Sequence, residues 1–333
     1  MVKPVRIDEV LDAEILPTLP AVAVKVLSID PETGAADMAR VIGADPALAA
    51  RILKTANSPL YAPLSPVSSI KRAIALLGDR QVRTLTLAFS LVPLQNALLD
   101  FSRFWEHSLA TAVGTRHLLR ILSPRHAEDG FTAGLLANIG AILLAGAQPA
   151  KYQGILKSSL HKGVSIKDIE REVFGFDHTE IGTAAARRWK FPSSFQAVIA
   201  HHHDPEQFQG NEESRRLVQA VHLAGMFADM FHTDRPELPK GKFQRAVKEM
   251  PDLRNMIFED FFRSVEEETQ EAAAWMGIHL SPTRSVAEIL EQANQKLVAI
   301  SAEYEEAIQW LYRTQIDLIQ LAKEDQAGTK DKK

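Results

Sequence analysis

Residues 131–146 read Phe-Thr-Ala-Gly-Leu-Leu-Ala-Asn-Ile-Gly-Ala-Ile-Leu-Leu-Ala-Gly, and they are apolar on every side. Glu128-Asp129 stands just before them and suits a helix start. A helix that is hydrophobic all round is buried inside a protein. This one is short of the roughly 20 residues that a membrane crossing needs. The stretch therefore predicts the central helix of a helical domain. Asn138 sits in its middle, and a buried amide left without partners costs about 1–3 kcal/mol. Asn138 either ties two helices together or lies on the floor of a site.

The rest of the chain has room to build around that helix. Its 333 residues suffice for two domains of ordinary size, and 46% apolar with 24% charged residues is the balance of a soluble globular protein. There is no cysteine, which excludes disulfides and thiolate metal sites. The first residues, Met1 to Glu9, hold no apolar signal core. The expected location is the cytoplasm, with no membrane and no nucleic acid as partner. A net charge of −4 gives no support to broad nucleic-acid binding.

Almost every segment has helical period, and no run alternates cleanly enough to be a strand. Helices are predicted over Ala21–Ile29, Ala35–Ala44 and Pro46–Ala56, the last opened by Asp45-Pro46. Three prolines then break helicity between Asn57 and Pro66. Ser68 or Ser69 caps Ile70–Leu77, which Gly78 ends, and Arg80–Val92 follows. A long helix over Phe101–Leu122 carries Trp105 and His107. After the buried stretch come Pro149–His161, Ser165–Phe174, His178–Lys190 capped by Asp177, Pro192–His201, Ser214–Phe231 and Met256–Met276. The polar run His232–Gly241 reads as a boundary.

From Leu290 the pattern changes. Leu290, Ala293, Leu297, Ile300, Tyr304, Ala307, Leu311, Thr314, Leu318 and Leu321 alternate steps of three and four. That seam repeats every 3.5 residues, as in a coiled coil. Ile308, Ile316 and Ile319 lie off the seam, which suits either more than two helices or a helix lying on the body of the domain. Residues 323–333 are charged and read as disordered.

Histidine is the residue type with chemistry to offer. There are eleven, and His107, His178 and the run His201-His202-His203 stand at helix ends or on a long helix. Imidazole is the commonest metal ligand, but hydrolytic divalent metals want carboxylates beside it. Successive side chains on a helix fan out by about 100°, so at most one or two of the run can face one site. No Gly-rich phosphate loop is present. Gly134 and Gly140 within the buried stretch read as places of close helix approach.

Several separate motifs, in order, resemble the HDOD domain. They are Leu16-Pro17-Thr18-Leu19-Pro20, Asp45-Pro46-Ala47-Leu48, Ala56-Asn57-Ser58-Pro59-Leu60-Tyr61 and Ser69 to Gly78. Further on stand Phe104-Trp105-Glu106-His107-Ser108, Gly134 to Gly140, Gly175-Phe176-Asp177-His178 and His201-His202. The resemblance implies an all-α, multi-helical, HD-domain-like bundle over residues 12–230, with an N-terminal half at 12–100 and an HD-like half at 101–230. Residues 231–333 would be a helical extension, with its heptads at 290–321.

HDOD domains are bacterial regulatory modules related to the HD metal-dependent phosphohydrolases. Where an active HD enzyme has His-Asp, this chain has Ala137-Asn138. A further aspartate is expected at Gly225, and Asp229, one turn later, does not match the motif. The resemblance thus implies no catalysis and no cofactor. His107, Asn138, His178, His201 and His202 would line a vestigial site or ligand pocket. No metal is expected there; His107, His178 and His202 are the candidates if one binds.

The expectation is a signal-transduction protein acting through protein partners, with a homodimer through 290–321. Two alternatives stay open. One is a metal-dependent phosphohydrolase of nucleotides or cyclic dinucleotides. The other is a nucleotide sensor without turnover, with Arg187-Arg188 or Lys71-Arg72 as its basic lining.

Overall fold

The structure is a computed structural model that describes residues 34–58, 61–91, 102–162, 164–189, 191–233, 236–276 and 301–315, with a few single positions between them. Among the described residues there are fourteen α-helices in the body of the protein and no strand. Residues 301–315 form a further helical run.

The first four helices are α1 (Ala35–Gly43), α2 (Pro46–Ala56), α3 (Ile70–Leu77) and α4 (Asp79–Leu91). Their ends follow the sequence. The Asp45 carboxylate accepts from the Leu48 amide at 3.0 Å. Ser69 Oγ accepts from the Arg72 amide, and α3 stops at Gly78, whose φ of 85° lies where side chains are disfavoured. The three-proline connection is a packed one at its ends. Asn57 donates to the Val67 carbonyl and accepts from the Val67 amide, at 2.8 and 2.7 Å. Val26 packs in the core, but most of the helix expected over Ala21–Ile29 lies outside the described residues.

The second half is built on α5 (Ser102–Leu122), which packs against α6 (Ala127–Leu136), α12 (Glu212–Ala228) and α14 (Phe258–Met276). Between α6 and α12 lie α7 (Ile139–Ala147), α8 (Pro149–Lys162), α9 (Ile166–Phe174), α10 (His178–Arg188) and α11 (Ser193–His201). The buried stretch is not one helix. It breaks at Ala137-Asn138 into α6 and α7, and Asn138 is the residue before α7 begins. Burial is as expected: every residue of both helices is buried except Glu128, which is exposed, and Asp129 and Ala147, which are half-buried at the outer turns. The run Pro124–Ala147 is long and apolar enough to cross a membrane by composition, but 89% of its apolar window is inside the fold. It is the core of the bundle.

Two glycines set how closely the helices approach. A Cβ on Gly140 would lie 1.9 Å from the His178 carbonyl oxygen and 2.8 Å from the Gly182 amide nitrogen. The α7 and α10 backbones therefore touch at that point. Gly134 does the same for α6 on α5, with Ala112 Cα at 2.8 Å.

Helix α13 (Glu237–Glu249) and α14 close the body. Phe227 of α12 meets Phe243, Phe261 and Phe262 with ring centroids 5.9, 5.0 and 5.0 Å apart. Arg116 of α5, only 1% exposed, is held by Glu268 of α14 and lies over the Phe131 ring at 5.0 Å. His117 reaches the other Glu268 oxygen at 2.9 Å. Burial of the Glu268 carboxyl is outweighed by His117 and Arg116, which hold its pKa down to about 2.

The heptad region is described only in part. Residues 301–315 are helical and exposed, apart from half-buried Thr314. This run does not lie on the body of the domain. Pro282, the seam residues Leu290, Ala293, Leu297, Ile300, Leu318 and Leu321, and the charged tail fall outside the described residues.

A cluster of imidazoles around Asn138

Four helices bring side chains to Asn138, at the break between α6 and α7. His107 comes from the second turn of α5, His178 opens α10, and His202 and His203 follow α11. Asp229 ends α12. The start of α10 is fixed by Asp177, whose carboxylate accepts from the Thr179 and Glu180 amides while Glu180 reaches back to the Asp177 amide. That capping box aims His178 inward.

The contacts form a chain. His178 Nε2 lies 2.9 Å from His203 Nε2, and the His202 and His203 rings are 4.2 Å apart. His202 Nε2 lies 3.2 Å from the Asn138 side-chain oxygen. The Asn138 amide nitrogen lies 3.4 Å from His107 Nδ1, and His107 Nε2 is 3.0 Å from an Asp229 oxygen. Both readings of Asn138 thus hold: it ties helices together and lies on the floor of the site.

Hydrogen bonds behind the rings assign their protons. His178 Nδ1 donates to Glu170 at 2.6 Å, and His202 Nδ1 faces the carbonyls of Val198 and Ile199 at 3.2 and 3.1 Å. Both rings therefore turn a bare Nε2 toward the centre. His202 Nε2 and the Asn138 oxygen are then two acceptors in contact. Turning the amide end for end would only move the clash, setting its oxygen against His107 Nδ1, because His107 Nε2 donates to Asp229; a cation between them satisfies the contact.

Burial, with the neighbouring His178, pushes the His202 pKa down to about 3. Burial does the same to His203 and His232, and raises Glu106, beside His232, to about 7. A pH dependence follows for the metal-free protein. Below pH 6.5 the unfolded chain takes up protons that folded His202 and His232 refuse, so each removes stability as the pH falls. Glu106 opposes one of them between about pH 7 and its ordinary value of 4.5. Two against one leaves a net loss of stability from pH 6 to 5. His203, whose ring nitrogen is buried in the cluster while the rest of the residue reaches solvent, adds less. Urea midpoints measured at the two pH values check this, and a midpoint that does not fall would refute it.

The structure sorts the expected site residues. His107, Asn138, His178 and His202 come together. His201 does not; its ring turns away onto Phe208 at 5.6 Å. Asp229, which the motif set aside, supplies the carboxylate beside His107. Residues four apart share a helix face, so a carboxylate one turn beyond Gly225 remains on the side of the site. His203 was not expected.

Nor was Glu170, which is fully buried and accepts from Tyr152 Oη and from the His178 amide and Nδ1. Its signal was in the sequence. It lies on the apolar stripe of α9 with Ile166, Ile169 and Phe174, where a glutamate must have partners. The basic pairs do not line the site. Arg187 and Arg188 lie at the far end of α10, about 15 Å from His178 along the axis. Arg72 is bonded to Ser65 and the Pro66 carbonyl.

The donor set tests what the site could hold. A two-metal hydrolytic centre does not fit: Ala137 is buried and has no donor atom, and Asn138 offers a neutral amide. Among the described residues, His178, His202 and His203 are the group whose ligand atoms lie within 4.8 Å of one another. Three imidazoles, one of them backed by a carboxylate, suit a single borderline cation such as zinc.

Residues 16–205 of this all-α bundle match the HDOD domain family. The chain belongs to that family. A relative from Treponema pallidum (strain Nichols), itself uncharacterized, is 25% identical over 236 residues; the match takes in 66% of this chain but 42% of the relative. The chain thus spans less than half that relative's length.

Three solved structures share the fold. An HDOD domain protein of unknown function from Geobacter sulfurreducens is 23% identical with a TM-score of 0.58, covering 79% of this chain and 91% of its own. A Shewanella amazonensis SB2B protein, provisionally named a phosphohydrolase, is 22% identical with a TM-score of 0.59, covering 86% and 97%. A Marinobacter aquaeolei VT8 protein, provisionally named for signal transduction, is 21% identical with a TM-score of 0.59, covering 79% and 59%. At these identities the likeness is one of fold.

Proposed function

We propose that this protein is a non-catalytic signal-transduction module that acts through contacts with other proteins. The observation that supports this best is the centre of the site. Where the resemblance to HD enzymes would place a His-Asp pair, Ala137 is inert and the Asn138 amide is engaged with His107 and His202. The donors that remain suit one metal ion and not a pair with a bound hydroxide. The partners are proteins of a signalling pathway and a second copy of the chain, joined through the heptads at 290–321.

A second reading is favoured by the inward lone pairs of His178 and His202. In it, one metal ion or small ligand occupies the cluster and sets the conformation that partners read.

The test uses the full chain purified without an affinity tag or chelator. Metal content is measured first, then phosphate release from linear and cyclic nucleotides with added manganese or magnesium. Metal-free protein without turnover is the expected result. Stoichiometric zinc without turnover would shift the choice to the second reading. Turnover that rises with added metal would overturn both.

A further inference from the structure

We infer that the imidazole cluster is a reversible zinc clamp: His178, His202, His203 and the Asn138 carbonyl oxygen hold one ion, and a proton shift on His203 admits it. The inference rests on the second reading above and names its ligand. Two contacts in the cluster point to a cation. The first is between His202 Nε2 and the Asn138 oxygen, two acceptors 3.2 Å apart. The other His202 tautomer gives no relief, since its Nδ1 would set a lone pair against the Val198 and Ile199 carbonyls. Buried acceptors that face each other are costly unless something positive stands between them. The second contact is between His178 Nε2 and His203 Nε2, at 2.9 Å. Glu170 fixes the His178 proton on Nδ1, so His203 is the donor here. Moving that proton to His203 Nδ1 frees both Nε2 lone pairs, and His203 stays neutral. His203 is exposed as a residue, so the exchange needs no opening of the core.

The spacing and the donor types suit zinc. Ligand atoms at about 2.0–2.1 Å from a tetrahedral ion lie roughly 3.3 Å from one another. The two contacts are close to that spacing, and the three ring nitrogens lie within 4.8 Å of one another. Three nitrogens and a neutral oxygen favour zinc, whereas magnesium, calcium and manganese want carboxylate and water oxygens. The charge of the ion is met by Glu170, buried directly behind His178, as a carboxylate commonly stands behind a zinc-bound imidazole. Lys167, the cation on the His203 side of the cluster, is already paired with Asp204. His203 takes the place that His107 was expected to fill, because His107 Nε2 is held by Asp229. The ion would join the start of α10 to the chain leaving α11. His222 of α12 donates from Nδ1 to the His202 carbonyl at 2.7 Å, so the clamp reaches α12 as well.

The experiment is calorimetric titration of the full, tag-free chain, stripped with chelator, with zinc, manganese and magnesium chloride. One zinc per chain is expected, with neither harder ion displacing it in large excess. His203→Ala, at the surface, should weaken zinc by about 10-fold or more, whereas His201→Ala, whose ring turns away, should not. Nitrogen chemical shifts should show His203 protonated on Nε2 without zinc and on Nδ1 with it. Equal zinc affinity in the wild type and His203→Ala, or an unchanged His203 tautomer, would overturn the clamp. A preference for manganese or magnesium would overturn it and leave the second reading standing. Failure to bind any of the three ions would also overturn it, and would leave only the small-ligand form of that reading.

Discussion

Glu170→Ala is expected to lower stability by about 3–5 kcal/mol, because it leaves one donor of Tyr152 and two of His178 without an acceptor inside the core. Burial, then the Glu170 charge and its hydrogen bond, raise the Tyr152 pKa well above the ordinary phenol. The Tyr152 hydroxyl therefore stays a donor and must find an acceptor. The change also reaches the imidazole cluster. With its Nδ1 partner gone, His178 is free to move its proton to Nε2, and the inward lone pair is lost. Tyr152→Phe removes a single hydrogen bond and should cost about 1 kcal/mol. Denaturant unfolding gives the stabilities, and nitrogen chemical shifts of the His178 ring give the tautomer. An unchanged tautomer in Glu170→Ala would show that Glu170 does not orient His178.

Gly140→Ala should cost about 3 kcal/mol or more. The added Cβ would meet backbone on α10, at 1.9 Å from one atom and 2.8 Å from another, and backbone cannot step aside as a flexible side chain can. Helices α7 and α10 must separate, and His178 moves with α10. Gly146→Ala is the matched control in the same helix. It meets nothing within 4 Å and should gain up to about 1 kcal/mol from helix propensity. Equal urea midpoints for the two variants would contradict the close contact.

Much of this architecture was legible because it is local. Asp45, Ser69, Gly78 and Asp177 cap helices through bonds to amides within a few residues, so their spacing carried the information. The apolar run was legible as buried, since burial depends on composition. Its break at Ala137-Asn138 was not. That break goes with bonds to His107 and His202, 31 and 64 residues away, and sequence periodicity does not register such partners. The same distance effect hid Asp229, which lies 122 residues from His107. The choice within His201-His202-His203 was open for a different reason. The chain leaves the helix at His201, so helical fanning no longer orders the two that follow.

The salt bridge between Arg116 and Glu268 has a consequence for how the chain is made. Its two ends are separated by 152 residues. During synthesis α5 emerges early, carrying a guanidinium that must end up dry, and its counter-charge is still to be translated. Bringing such distant residues together is slow, because the entropy of closing the intervening loop is lost before the contact forms. The HDOD match ends at residue 205, yet α5 cannot be sealed until α12 and α14 have been made. The N-terminal helices can settle as they leave the ribosome; the histidine cluster is completed late, only after its last carboxylate has been added.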